Sequence, residues 1–194
     1  MPELLAAVND LFNNKQARKT FLKLRLPLGL ILFVAILFLT NPVWFFPGLI
    51  VSIAGELLQV WCFSTIKTKK KLTVTGPYMF VRNPMYIGRF FLVFGIIMMT
   101  GSIWLMLASA VIYYFYMVNR VRREEKLLFE LFGEDYAAYC REVPPYLPTM
   151  KRFDATMLWS FNRESFAQNN ALRNLLAVSA GYFVLYVFTF VCPL

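Results

Sequence analysis

Five apolar runs, at about 26–40, 43–63, 84–101, 103–119 and 171–191, dominate this chain of 194 residues. Several approach the roughly 20 apolar residues needed to cross the hydrocarbon core of a bilayer. Inside lipid every backbone polar group must be satisfied within its own segment, so runs of this length read as helices. The composition agrees: 59% of the residues are hydrophobic and 18% aromatic, with a mean hydropathy of +0.55. A soluble domain of this length is rarely more than about half apolar. The expected fold is therefore an all-α integral membrane helical bundle of about five transmembrane helices. The first 25 residues are too polar for the apolar region of a cleaved signal, so the membrane helices themselves are expected to direct insertion.

Charge sets the expected orientation. The turn after the first run is "TNP" (Thr40–Pro42), and the one between the third and fourth is "TGS" (Thr100–Ser102); neither carries a charge. The basic residues instead fall at Lys15–Arg25, at Lys67–Lys71 and from Arg120 to Arg173, all on one side of two helical hairpins. By the positive-inside rule that side is cytoplasmic. The net charge of +9 then follows from topology and from attraction to anionic headgroups, without any need for nucleic acid. Three segments are expected: an interfacial N-terminal segment 1–25, a membrane core 26–148, and 149–194 as an interfacial linker plus the last helix. Five spans starting inside would leave the C-terminus outside.

Composition also excludes chemistry. The chain has no histidine, which rules out histidine metal ligation, a Ser–His–Asp triad and histidine acid–base catalysis. Cys62, Cys140 and Cys192 show no CxxC spacing, so neither a disulfide framework nor a metal site is expected. Reactive groups must come from Arg, Lys, Glu, Asp, Tyr, Asn or a bound cofactor.

Three places hold such groups. In "GPYMFVRNPMYIG" (Gly76–Gly88), Asn83-Pro84 reads as an N-cap followed by proline at the first helical position. A helix start there exposes amide donors, and with Arg82 and Arg89 it makes an anion-attracting mouth. The alternative is a plain turn with arginines reaching headgroup phosphates. The second place follows the fourth run, where Arg120, Glu124, Leu127 and Leu131 fall on one helical stripe, with Arg122 and Glu125 pointing elsewhere. This helix is expected to break at Gly133, and "PPYLP" (Pro144–Pro148) must be extended. The third place is Glu56, three residues before Gln59 inside the second run. An ionisable group there costs roughly 2.5–3.5 kcal/mol at the bilayer centre, so it is expected to line a cavity. Its alternative is a helix–helix hydrogen bond or a pair with Arg89.

Taken together, the motifs resemble the isoprenylcysteine carboxyl methyltransferase and phospholipid methyltransferase superfamily of integral membrane enzymes. Members carry an RHPxYxG-like motif, matched by Arg82-Asn83-Pro84-Met85-Tyr86-Ile87-Gly88. They also carry an RxxxEE motif (Arg120 to Glu125), an FGxxY motif (Phe132 to Tyr136) and a VPxxxP-like end (Val143 to Pro148). The match covers about 76–148, in order, with a membrane hairpin between. The resemblance implies methyl transfer from S-adenosyl-L-methionine to a lipid or lipid-like acceptor reached from the bilayer. It implies a cofactor pocket between the two main motifs, closed by the cytoplasmic helix–loop segment. Arg82, Arg120 and Glu124 would be catalytic. Tyr78, Asn83, Tyr86, Gly88 and Glu125 would hold the cofactor, while Glu56, Gln59 and Arg89 line the substrate cavity; no metal is implied.

One position departs from the family pattern: its usual histidine is Asn83, which cannot titrate and so would serve binding. Several acceptors fit the residues. A carboxylate is already nucleophilic and arginine can hold it bidentately. An amine must first lose a proton, for which Glu124 or Glu56 is the available base. Two further readings are an NADPH-dependent membrane reductase of related fold, which normally needs more spans, and a non-catalytic membrane adaptor.

Overall fold

The structure, a computed structural model, describes residues 14–66 and 71–192. The expected interfacial segment before residue 14 and most of the basic run Lys67–Lys71 lie outside the described residues. Every regular element among the described residues is helical.

The first helix, α1, spans Lys15–Leu39, with Pro27 in its interior. It begins well before the expected position 26, because Phe21, Leu22 and Leu24 continue its apolar character into the basic stretch. Asn41 then caps α2 (Pro42–Thr65): its Oδ1 accepts from the Val43 N–H at 2.9 Å, with Pro42 in the first helical position. A 3-10 turn at Gly76–Met79 leads to α3 (Pro84–Met98). Gly101, at φ +69°, makes the turn into α4 (Ile103–Glu142). Two short helices follow, α5 (Ala155–Leu158) and α6 (Arg163–Gln168). The last, α7 (Ala171–Tyr186), ends in a wider turn at Val187–Val191.

Four of these elements, α1, α2, α4 and α7 with its extension, are long and apolar enough to cross a membrane. The protein is an integral membrane helical bundle. The expected third span is shorter than the others. Proline starts α3 at residue 84 and the turn at Thr100–Gly101 follows directly, leaving 15 residues, about 22 Å at 1.5 Å each. Conversely α4 runs uninterrupted from Ile103 to the kink at Gly133, roughly 45 Å, and must project well beyond a hydrocarbon core of about 30 Å. The helix breaks at Gly133 as expected (φ 49°, ψ −122°), and a second helical stretch runs on to Glu142 at a new angle.

Packing between α2 and α3 is set by glycine. A Cβ added at Gly55 would collide with the Leu92 backbone nitrogen, and one at Gly95 with the Ser52 backbone nitrogen. Small residues let membrane helices approach closely where no hydrophobic effect drives them together. Ser52 fastens the seam by donating to the Leu92 carbonyl at 2.8 Å. On its other side α2 meets α7 through polar side chains: Ser52 with the Tyr182 hydroxyl at 2.7 Å, and Glu56 with Asn174 Nδ2 at 2.9 Å.

At the uncharged end Ile36, Phe45, Met99 and Leu185 form a buried cluster, and the Asn41 N–H donates to the Met99 carbonyl at 2.8 Å. At the basic end Tyr136, Tyr139 and Val143 form a second cluster with Leu72, Val74 and Phe132. There the Tyr139 hydroxyl donates to the Tyr78 carbonyl at 2.7 Å, docking the end of α4 on the 3-10 turn. The proline-rich segment after α4 is not helical, but it bends at residues 145–147 where an extended course was expected. It runs beside residues 80–82: the Arg82 N–H donates to Pro144 O at 3.0 Å and the Thr149 N–H to Phe80 O at 2.8 Å.

Candidate active site

The start of α3 and the basic-side part of α4 face each other across the mouth of a cavity of about 1800 Å³. Arg120 sits two helical turns after Tyr113, on the same stripe of α4. Its Nε lies 2.9 Å from Glu124 Oε1 and donates to the Tyr86 hydroxyl at 3.3 Å. Tyr86 is held from behind, where the Tyr113 hydroxyl donates to its carbonyl at 2.7 Å, and the Arg89 guanidinium lies 5.9 Å from its ring centroid. Side chains of Arg120 and Glu124 are 44% and 38% exposed, so this pair is open to a ligand and worth little to stability by itself.

A second group sits deeper. Arg82 Nη1 lies 3.4 Å from Glu125 Oε1 and 2.6 Å from Cys140 Sγ, with its side chain only 13% exposed. Burial works against the guanidinium charge. The Glu125 carboxylate, with Cys140 and Tyr136 nearby, outweighs it and raises the Arg82 pKa further. Burial likewise pushes the Tyr78 phenol well above its ordinary range, helped by the Cys62 thiol beside it. Asn83 stands at the start of α3 but makes no capping bond with its side chain; its Nδ2 donates instead to Glu125 Oε1 at 3.2 Å and to Pro145 O at 3.3 Å. The expected side-chain cap is thus replaced by a tie between α3, α4 and the closing segment.

Tyr78, Arg82, Tyr86, Arg89, Arg120 and Glu124 all line the cavity. Five sequence candidates are placed elsewhere. Asn83 and Glu125 lie behind the wall and position Arg82. Gly88 faces α2, where an added Cβ would stand 2.9 Å from Gly55 O, so it serves helix contact. Glu56 and Gln59, each 3% exposed, are absent from the described cavity lining. Glu56 hydrogen-bonds Asn174 and receives Gln59 Nε2 at 3.4 Å, with no ion pair to Arg89 among the described contacts. The expected cavity role for Glu56 gives way to its alternative, a helix–helix hydrogen bond, because α7 lies on that face of α2.

Sequence reasoning passed over Tyr113 and Cys140. Tyr113, Arg120 and Leu127 share one stripe at seven-residue spacing, a signal that was available. Cys140 reaches Arg82 from beyond the kink at Gly133, and the sequence, which marks that kink, does not fix the angle at which the helix continues.

The remainder of the cavity is apolar and runs along α3 and α4 toward Ile97, Thr100 and Leu105 at the uncharged end. A bundle of lipid-facing helices with a charged mouth above a long apolar cavity defines the class: an integral membrane protein with a polar cluster at one end of an apolar cavity. The description of the matching family model is phospholipid methyltransferase, and it covers residues 43–135. Among curated proteins, the chain is 30% identical over 126 residues to the nickel-cobalt-cadmium resistance protein NccN of Alcaligenes xylosoxydans xylosoxydans, covering 64% of this chain and 57% of that one. Identity to the cobalt-zinc-cadmium resistance protein CzcN of Cupriavidus metallidurans is 27% over 115 residues, covering 58% and 53%. With the protein-S-isoprenylcysteine O-methyltransferase of Schizosaccharomyces pombe it is 32% over 83 residues, covering 42% and 35%. The aligned part thus spans little more than half of the first two relatives and about a third of the last. No solved structure gives a significant match. These matches support the resemblance of this part of the chain to the isoprenylcysteine carboxyl methyltransferase and phospholipid methyltransferase superfamily.

Proposed function

We propose that this protein transfers a methyl group from S-adenosyl-L-methionine to a lipid or lipid-like acceptor, in the first place the carboxyl of a prenylcysteine-like or isoprenoid molecule. One observation carries the reading: residues 82–86 and 120–125 meet as one polar cluster at the mouth of an apolar cavity. The chemistry of the mouth suits the cofactor. The buried Nε of Arg82 has no hydrogen-bond partner among the described residues, which leaves a donor for an anionic group. Arg120 offers N–H donors beyond the Nε used by Glu124, and that carboxylate suits an ammonium or a sulfonium. When bound, the cofactor supplies an electrophilic methyl on a positively charged sulfur.

The protein's own part is alignment. Arg120, oriented by Glu124 and Tyr86, is placed to hold an acceptor carboxylate bidentately. Such a nucleophile needs no base, which suits a site without histidine. Holding two reactants in line accounts for a large share of such a rate enhancement, up to roughly 7–11 kcal/mol in well-oriented cases. Asn83 and Glu125 keep Arg82 in place and tie the closing segment over the mouth. The basic face of the bundle is taken as cytoplasmic, so the mouth opens to the compartment where the cofactor is made.

The test is transfer of label from methyl-labelled S-adenosylmethionine into lipid by the protein in nanodiscs supplied with total membrane lipid. A base-labile product identifies a carboxyl ester, whereas a base-stable one identifies an amine and makes Glu124 the base. Absence of transfer, together with absence of S-adenosylmethionine binding, would overturn the reading.

A further inference from the structure

The matched family segment begins at residue 43, so α1 lies outside it, yet α1 forms one side of the cavity. Phe21, Leu22 and Arg25 border the cavity near its basic end, and Leu32, Ala35 and Leu39 border it further along. The two halves of α1 are attached very differently. Ile36 is buried in the cluster with Phe45, Met99 and Leu185, and Phe33 and Leu37 pack on the same cluster. From Lys19 to Leu32, by contrast, every residue is exposed. Pro27 separates these halves and has no N–H to give the Lys23 carbonyl, so the helix is weakest at that point.

The cavity wall on the opposite side is continuous. Both Leu105 and Arg120 of α4 line it, and 15 residues of helix span roughly 22 Å. The groove is charged at one end and bounded by the anchored half of α1 at the other, and its length matches that of an extended hydrocarbon chain.

We propose that α1 is a hinged side wall of the acceptor groove: its N-terminal half swings at Pro27 to admit a single-chain lipid from the bilayer and then packs along that chain. The inference rests on the methyltransferase reading for calling the groove an acceptor site, but the motion and the chain binding stand apart from catalysis. Arg25 on the moving half approaches the headgroup region as the wall closes. The apolar side chains of Phe21 and Leu22 exchange lipid contact for contact with the bound chain.

Nitroxide pairs test this in phosphatidylcholine nanodiscs, in a Cys140→Ser, Cys192→Ser background. One pair joins Lys23→Cys on the moving half to Glu130→Cys on α4; the control joins Val34→Cys on the anchored half to the same position. Stearic acid serves as the probe, with octanoic acid as the short control. The expected result is a broad Lys23–Glu130 distance distribution that narrows and shifts toward α4 with stearic acid and much less with octanoic acid. The Val34 pair stays unchanged. Pro27→Leu, which restores the missing N–H, narrows the Lys23 distribution without added lipid. A Lys23 distribution that is narrow from the start, or indifferent to both stearic acid and Pro27→Leu, would overturn the proposal. S-Adenosylmethionine binding, measured on unlabelled protein with its native cysteines because Cys140 contacts Arg82, separates the two claims. Binding without motion removes the hinge and spares the enzyme; motion without binding does the reverse.

Discussion

The two long faces of α3 meet very different surroundings. One is pressed on α2 so closely that Gly55, Gly88 and Gly95 leave no room for a methyl group. The other carries Met85, Tyr86, Arg89 and Val93 and looks into a wide cavity, beyond which stands a helix attached mainly at its far end. The contrast sets a polar cluster on a tightly packed helix beside an open apolar cavity. Tyr86 is fixed because its helix is wedged from behind and because Tyr113 grips its carbonyl. What approaches from the open side need not displace any packed core.

The sharpest way to break this contrast is to overfill the tight side. Gly55→Leu should cost about 3 kcal/mol or more, since overpacking forces the backbones apart. The outcome to look for is loss of a monodisperse protein on size-exclusion chromatography in detergent. Gly29→Ala is the matching change in α1, where nothing lies within 4 Å of the added methyl. It should be tolerated and raise stability by at most about 1 kcal/mol through helix propensity.

Next in size is Arg120→Ala on the open side. Charged hydrogen bonds are worth about 1.5–3 kcal/mol, so ligand affinity should fall roughly 10- to 150-fold. The melting temperature should hardly change, because the pair with Glu124 is half exposed. A large loss of stability would show that the open side carries load after all. Asn174→Ala acts on the tight side without touching the cavity. It leaves the buried Glu56 short of its main partner and should cost about 1–3 kcal/mol, read as a lower melting temperature with unchanged ligand affinity.

How much of this was legible beforehand follows the same division. Five apolar runs, the turns at Asn41 and Gly101, and the helical stripe from Arg120 to Leu131 can all be read from local pattern. So can the meeting of Arg82 with the RVRREE stretch, since the motifs carry it. The role of Glu56 could not, because it depends on which helix covers that face of α2, and α7 is more than a hundred residues away. The same holds for Asn83, whose choice between its own helix and Glu125 is settled by how α4 and the proline segment dock.

The smallest effect lies far from both faces, at the entry to α5. The Asp154 carboxylate accepts from the Thr156 hydroxyl and N–H, which hold its pKa below the usual carboxylate range. A depressed folded-state pKa contributes stability above the unfolded value, about 3.9, that is lost as pH falls through the folded value. The turn around Thr156 should therefore loosen only in strong acid, and Asp154→Asn should remove that pH dependence in amide exchange of the Thr156 N–H.

The central claim, that the cluster at the cavity mouth is a cofactor site, is tested most directly by calorimetric titration of the purified protein with S-adenosylmethionine and S-adenosylhomocysteine, with NADPH as the control. Binding of the first two, weakened in Arg120→Ala and Glu124→Ala but not in Asn174→Ala, is the predicted result. Binding of NADPH alone, or binding indifferent to Arg120 and Glu124, would contradict it.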